Sequence, residues 1–386
     1  MYPGYAKDSP LRAFTKLLGD TSVQRVIKST QLGNALNRAI GHQDRLYLAM
    51  RRFAPNGGRF FRHGWGDIAR AEAFRAEALE CVSTQQFSYD ELVQPEITHI
   101  ATRKDYKIIS YRAESPWAKW LPQESHPLFV QVVTPLRSPR ALAFHFPCTG
   151  DEGFEYRRDQ VALNLLDRGI ASVLPMIPYY GYRRPKDQDR WYVNSVADFL
   201  LQLTVGFMES LSLHRWLRQK FPNLPLAFTG FSLGGAMAAS AACALSEGPR
   251  VALAPCLSSL TAEAMCDGAI SLNMDWQALG GGKSGSPEVR EKLYRLADRF
   301  GVLEVMKTNP HNRIGSLHQL IAPEDVIVAP RFGQALFNTL QSRIQADNPN
   351  AYCELETILG GHGTAMIAAG YSFEPAIIRS LENLNP

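Results

Sequence analysis

The sequence contains no Cys-x-x-Cys pair, and its six cysteines (Cys81, Cys148, Cys243, Cys256, Cys266 and Cys353) are scattered. That scatter excludes the zinc-ribbon and thioredoxin patterns and suits free, mostly buried thiols in a reducing compartment. No run approaches the roughly 18 consecutive apolar residues of a membrane-crossing helix, and no secretory leader is visible. An intracellular, non-secreted protein is the expectation. Charge of one sign is also scarce, with 41 basic against 37 acidic residues and a formal net charge of +4. So small an excess gives no reason to expect a nucleic-acid partner, and no nucleic-acid-reading motif occurs. A phosphate-binding loop is missing too. The triplet Gly282-Lys283-Ser284 imitates one, but Gln277 stands where the first motif glycine belongs and no strand precedes it. We expect a flexible loop there, and neither metal nor cofactor.

What is present suits a chain of 386 residues able to bury a large core, as one elaborated α/β domain or as two. Residues 1–90 read as a helical, basic region. Leu11, Phe14, Leu17, Leu18, Val23, Val26 and Ile27 recur at helical spacing, with Lys7, Arg12, Lys16, Arg25 and Lys28 between them. Such a segment is either a targeting or membrane-surface helix or, since Asp8 and Asp20 interrupt it, a helix packed on the domain. From Arg45 to Gly66 no acidic residue occurs, while Arg45, Arg51, Arg52, Arg59 and Arg62 alternate with apolar side chains. That stretch is either a solvated face or a surface for anionic lipid, which makes peripheral membrane association an expectation.

Beyond residue 90 the pattern changes. Residues 96–111, 128–134 and 141–146 read as strands, 156–166 as a helix and 170–174 as a strand. The alternation continues through a long apolar helix at 196–219 to the C-terminus, which predicts a mostly parallel sheet with helices on both faces. Residues 257–315 lose the alternation and read as a lid-like insertion in a domain covering 91–386. After the strand at 170–174 comes a stiff loop holding Tyr179, Tyr180, Arg183, Arg184 and Lys186. It lies where open α/β sheets place ligands, so these residues are candidates for substrate binding. The cations there either meet an anionic headgroup or pair with Asp187 and Asp189.

The most informative stretch is Gly230-Phe231-Ser232-Leu233-Gly234, set between an apolar run at 224–229 and an Ala-rich, helix-favouring segment. Gly-x-Ser-x-Gly between a strand and a helix is a nucleophile elbow, a turn so tight that small residues must flank the serine. It raises the Ser232 hydroxyl above the sheet edge and aims the Leu233 N–H at a forming oxyanion. A second donor is expected from the loop after 141–146, with Thr149, Gly150 and Asp151 as the candidates. His145, in the strand itself, reads as a structural neighbour rather than a base.

A serine hydroxyl needs a base, and the base needs an acid to orient it. On this strand–turn–helix scaffold the chain order is serine, acid, histidine, each after a later strand. His42, His63, His99, His126, His145 and His214 come too early, His311 falls in the insertion, and His318 precedes the acid. His362 remains, in the turn Gly360-Gly361-His362-Gly363 after the strand at 352–359, and the glycines suggest a flexible turn. The acid follows the strand at 317–322, where Asp325 is the first choice and Glu324 the alternative.

Several blocks together resemble one family: Cys148-Thr-Gly-Asp151 with Arg157-Arg158, Pro178-Tyr-Tyr-Gly with Arg184-Pro-Lys-Asp-Gln188, and Thr229 to Gly235. Pro255-Cys-Leu-Ser258, the stretch from Asn273 to Leu279, Glu324-Asp325 and Gly360-Gly-His362 complete the set. From about residue 44 onward the chain is similar to the α/β-hydrolase domain-containing protein 18 family. The resemblance implies an α/β-hydrolase fold and an intracellular, mitochondria-associated serine hydrolase of lipid metabolism. It implies Ser232, Asp325 and His362 as a catalytic triad and a phospholipid such as cardiolipin as the substrate class. The insertion before Leu317 is shorter than in the animal members, and the Phe-Ser-Leu elbow differs from theirs, so lid and pocket shape need not transfer.

Overall fold

The computed structural model describes residues 58–84, 95–260, 263–367 and 369–384, together with Ala35, Arg38, Ala39 and Asp44. The helix expected over residues 11–28 and the arginines at 45, 51 and 52 lie outside the described residues. One sheet of nine strands organises the rest, in the order β1-β2-β3-β5-β4-β6-β7-β8-β9. The strands are β1 Glu96–Thr102, β2 Tyr106–Glu114, β3 Pro127–Pro135, β4 Ala141–Phe146, β5 Ile170–Met176, β6 Leu226–Phe231, β7 Val251–Cys256, β8 Ile314–Ile321 and β9 Tyr352–Thr357. From β5 through β9 all neighbours run parallel. The first three strands pair antiparallel with each other, and β3 pairs antiparallel with β5. The stretch 96–111 is therefore a hairpin and not one strand. Arg103-Lys104-Asp105 turns the chain, and β1 is exposed on both faces, so its residues carry little of the alternation that reports burial.

Every residue of β4, β5, β6 and β7 is buried, because helices cover both faces. On one face lies the helix Val196–Lys220, capped by the Ser195 side chain, which accepts from the Asp198 N–H. It is long and apolar enough to cross a membrane by length and composition, yet 89% of its most apolar window is buried inside the protein. Helices Ile68–Thr84 and Leu233–Ala244 pack against it. On the other face the helix Ala369–Glu382 packs against β6, β7 and β8, where Ala227, Ala254, Ala376 and Ile377 meet.

The division expected at residue 90 marks no break in the core. Phe60, Phe61, Phe74 and Val82 are buried in the same cluster as Phe199, Phe228 and Leu253. Between β7 and β8 the insertion forms helices Glu263–Asp267, Pro287–Asp298 and Val302–Thr308, and the last packs on Leu233–Ala244. The Gly-Lys-Ser triplet lies in turns ahead of Pro287–Asp298, with no strand before it.

What positions a site is the sheet order itself. The chain leaves β4 for β5 on one side and returns to β6 on the other. The loops after β4 and β6 therefore open side by side at the carboxyl edge, the switch point where α/β sheets bind ligands.

Candidate active site

At that edge β6 ends in the elbow. Ser232 has φ 55° and ψ −118°, a backbone conformation that costs a non-glycine residue about 1–3 kcal/mol. The strain is held by neighbours. The Ser232 N–H donates to the Cys256 carbonyl at 2.8 Å, tying the turn to β7. A Cβ on Gly230 would lie 2.3 Å from the Gly234 backbone, and one on Gly234 would lie 2.5 Å from the Phe146 carbonyl. Only glycines let strand, turn and helix approach so closely. From Leu233 a helix runs to Ala244. The Gly235 and Ala236 N–H groups donate to the Ser232 carbonyl, while those of Leu233 and Gly234 precede the first intrahelical bond. A helix N-terminus with free N–H groups thus stands at the serine.

His362 and Asp325 meet as expected. The His362 Nδ1 lies 2.7 Å from Asp325 Oδ2, and both side chains are buried. The other carboxylate oxygen, Oδ1, accepts from the N–H groups of Ile327 and Val328, each at 2.8 Å. An ionised carboxylate only accepts, so the shared proton is on Nδ1 and the Nε2 lone pair is free to act as a base. The imidazole packs edge-on against Phe231, ring centroids 4.8 Å apart, beside the residue that precedes the serine. Asp325 and not Glu324 is therefore the acid partner. The expected flexible turn is instead held: His362 is the first residue of the helix His362–Ile367.

The second oxyanion donor narrows to one candidate. The Asp151 N–H donates to the Cys148 carbonyl, and its carboxylate lies 2.5 Å from the Arg157 Nε. That arginine also holds the carbonyls of His145, Gly153 and Pro175, so Asp151 braces the loop. Gly150 is not among the residues that line the cavity at Ser232. Thr149 remains, lining the same cavity as Ser232 and Leu233. His145 is a structural neighbour, as expected. Its Nε2 lies 3.0 Å from Ser172 Oγ, and burial, with Arg157 adding to it, depresses its pKa to about 3.

The stiff loop after β5 contributes less than expected. Arg183 is fully buried, clamped by both oxygens of Glu209 at 2.6 and 2.7 Å and by the carbonyls of Ser125 and Met176. It cannot reach a substrate, and it answers a demand legible in the sequence, since Glu209 is the one charged residue in the stretch from Phe199 to Leu213. Arg184 pairs with Glu152 at 2.5 Å and not with Asp187 or Asp189. Burial, and then the neighbouring Asp198, raise the Tyr179 phenol well above the ordinary range, and Tyr179 is not part of the cavity wall. Tyr180 does line the cavity.

That cavity holds about 810 Å³ of space, counting its open mouth. Its walls are Phe199, Leu203 and Phe207 from the long helix and Leu260, Met265 and Phe300 from the insertion. The insertion therefore forms one side of the pocket over Ser232. Sequence reading missed these residues because nothing in their local pattern distinguishes a pocket wall from core.

Among the described residues one group has metal-ligand geometry: His318, Glu354 and Glu356 on β8 and β9, with donor atoms within 4.8 Å of one another. The Arg379 guanidinium already lies 3.0 Å from Glu356, and the His318 nitrogens are 2.8 and 3.0 Å from Tyr352 and Glu356. The donors are thus engaged with one another, in the body of the sheet and away from the elbow.

Comparison with known proteins agrees with the architecture. The acetyl xylan esterase of Paenibacillus sp. R4 superposes with a TM-score of 0.51 at 14% identity, over 83% of this chain and 96% of that one. Acetyl xylan esterase 1 of Thermoanaerobacterium sp. JW/SL YS485 gives 0.47 at 13% identity, over 82% and 97%. A cold-adapted esterase from an Arctic intertidal metagenomic library gives 0.45 at 13% identity, over 75% and 98%. The first likeness supports the α/β-hydrolase fold and nothing finer. Residues 58–348 match the model of the family "Alpha/beta hydrolase domain containing 18", most of the 386-residue chain, and the protein belongs to that family.

Proposed function

We propose that the protein is a serine hydrolase that cleaves carboxylic esters through an acyl-enzyme, with the acyl chain in the apolar cavity at Ser232. One observation carries the reading: a strained elbow serine opens onto that cavity while an Asp325–His362 pair, 2.7 Å apart, packs against the elbow. In the first step Ser232 Oγ attacks the ester carbonyl and His362 Nε2 takes its proton. Asp325 keeps the imidazole in the right tautomer and balances the charge it acquires. The tetrahedral oxyanion faces the N–H groups of Leu233 and Thr149, helped by the positive end of the helix Leu233–Ala244. His362 then protonates the leaving alcohol, and water repeats the attack on the acyl-enzyme.

The lining supports an acyl chain more than a sugar or a peptide. Its few polar groups, Ser240 and Ser259 among them, sit within aromatic and aliphatic walls. Each buried methylene is worth about 0.8 kcal/mol, so such a pocket gains selectivity with chain length. A lipid or phospholipid acyl ester of the kind the family resemblance implies fits that lining, and peripheral contact with a membrane is the natural source of such a substrate.

The test is an ester series from acetyl to decanoyl with wild type and Ser232→Ala, together with fluorophosphonate labelling. Labelling confined to Ser232, and turnover lost in a folded Ser232→Ala, support the proposal. Absence of labelling in folded wild type makes the protein a non-catalytic binding module of the same fold. A thioester panel run alongside separates an esterase from an acyl thioesterase, which shares this machinery.

A further inference from the structure

One buried carboxylate next to the histidine belongs to neither the elbow nor the acid loop. Asp44 is 7% exposed and comes from chain upstream of the family-matched residues. Its Oδ1 accepts the Gly363 N–H at 3.0 Å, and the His362 N–H is also directed at this carboxylate. Its Oδ2 is buried with no hydrogen-bond partner. Both N–H groups belong to the first turn of the helix His362–Ile367, which has no acidic residue of its own there. A carboxylate in that position caps the helix and complements its dipole.

A second observation stands apart from the hydrogen bonds. A Cβ built on Gly361 would lie 2.3 Å from Asp44 Oδ2, and one on Gly363 would lie 2.8 Å from Asp44 Oδ1. At Gly363 the carboxylate of Asp44 is the only obstacle within 4 Å among the described residues outside its own helix. Neither glycine has a positive φ, so neither is needed for backbone conformation. The glycines flanking His362 make room for Asp44, and the Gly-His-Gly sequence is the imprint of that contact.

Resting on the hydrolase reading above, we propose that Asp44 is a positioning residue of the active site: it caps the catalytic-histidine helix and fixes the imidazole between Asp325 and the elbow. Asp44 thereby supplies a carboxylate to a helix that has no acidic residue in its own first turn. Burial raises the Asp44 carboxyl above its ordinary range, and in its ionised form it places a second anion near the ring. Among the described residues, the titratable groups facing this corner are His362, Asp325, Asp44 itself and Cys256, whose thiol burial and then Asp325 push up. An anion near an imidazole favours its protonated form, so losing that anion moves the acid limb of the rate profile to lower pH.

The experiment uses the full chain with Asp44→Asn, Asp44→Ala, Gly363→Ala and the double variant Asp44→Ala/Gly363→Ala, each checked for folding by circular dichroism. Asp44→Asn keeps an acceptor for Gly363 and removes the charge. Its kcat should fall by about 3- to 10-fold with KM unchanged, and the acid limb of kcat/KM should move to lower pH. Asp44→Ala should lose about 10- to 100-fold in kcat. Gly363→Ala should be impaired alone and add nothing to Asp44→Ala, because its obstacle is gone. Asp44→Ala with wild-type kcat and pH profile overturns the inference, as does strict additivity of the double variant. If instead Ser232→Ala retains turnover, the hydrolase reading fails first, so the two failures are distinguishable.

Discussion

Replacing Asp325 by asparagine separates a triad from a coincidental ion pair. The amide side chain of Asp325→Asn is isosteric with the carboxylate, and its carbonyl oxygen can still accept from the Ile327 and Val328 N–H groups, both 2.8 Å from Oδ1 in the native protein. The amide NH₂ then faces His362 Nδ1, where Oδ2 had accepted at 2.7 Å. Two donors cannot face each other, so the imidazole must carry its proton on Nε2 and present Nδ1 as the acceptor. With Nε2 protonated, the base that should deprotonate Ser232 is blocked. The same exchange in serine-protease triads lowers kcat by roughly 10⁴-fold, about 5.4 kcal/mol of transition-state stabilisation. The fold should survive, since the backbone bonds persist. The assay is steady-state hydrolysis of a short p-nitrophenyl ester, with thermal melting as the control. We expect kcat to fall by about 10³–10⁴-fold, KM to change little and the melting temperature to stay within a few degrees. A variant within tenfold of wild-type kcat refutes the triad, because no intact Asp–His relay tolerates the wrong tautomer.

Three further outcomes follow from the packing. Arg183→Ala leaves Glu209 buried without its cation, so it should destabilise the fold by about 3–5 kcal/mol in urea titration, with KM unchanged for any folded fraction. A selective rise in KM would restore Arg183 to the substrate site. Ala236→Phe fills the cavity one helical turn from Ser232. If about four methylenes are excluded, kcat/KM for decanoyl esters should drop by roughly 200-fold relative to acetyl, and an equal loss for both would place the acyl chain elsewhere. His145 and His214 are buried, and desolvation, with Arg157 and Arg218 adding to it, holds both near pKa 3 against an ordinary 6.5. Between those values the unfolded chain binds protons that the folded chain refuses, so stability is present above about pH 6.5 and is lost as pH falls. Each imidazole should contribute about 1.4 kcal/mol per pH unit, measurable as the slope of unfolding free energy against pH. His145→Phe should flatten that slope, and an unchanged slope would show that His145 does titrate in the fold.

Local sequence determined the parts of this site that depend on local physics. The elbow was legible because one strand, one tight turn and one helix are contiguous, and because Gly230 is demanded by the Gly234 backbone four positions on, whereas the contact that demands Gly234, with Phe146, is long-range. The serine–acid–histidine order was legible because each partner follows its own strand in a parallel sheet. Strands β4 to β7 announced themselves as apolar runs since both their faces are covered, whereas the exposed hairpin β1–β2 lacked that signature and read as one strand. Tertiary structure decided everything that rests on long-range contact. It chose Asp325 over its neighbour Glu324, turned Arg183 inward onto Glu209 26 positions away, and took Asp151 out of the oxyanion hole by giving its N–H the Cys148 carbonyl as acceptor. It also carried Phe60 and Phe61 into the main core and brought Asp44 to Gly363 across 319 positions of chain. Burial and partner choice are properties of the folded assembly. A residue's neighbours in sequence report its conformation, but only packing decides which charges meet.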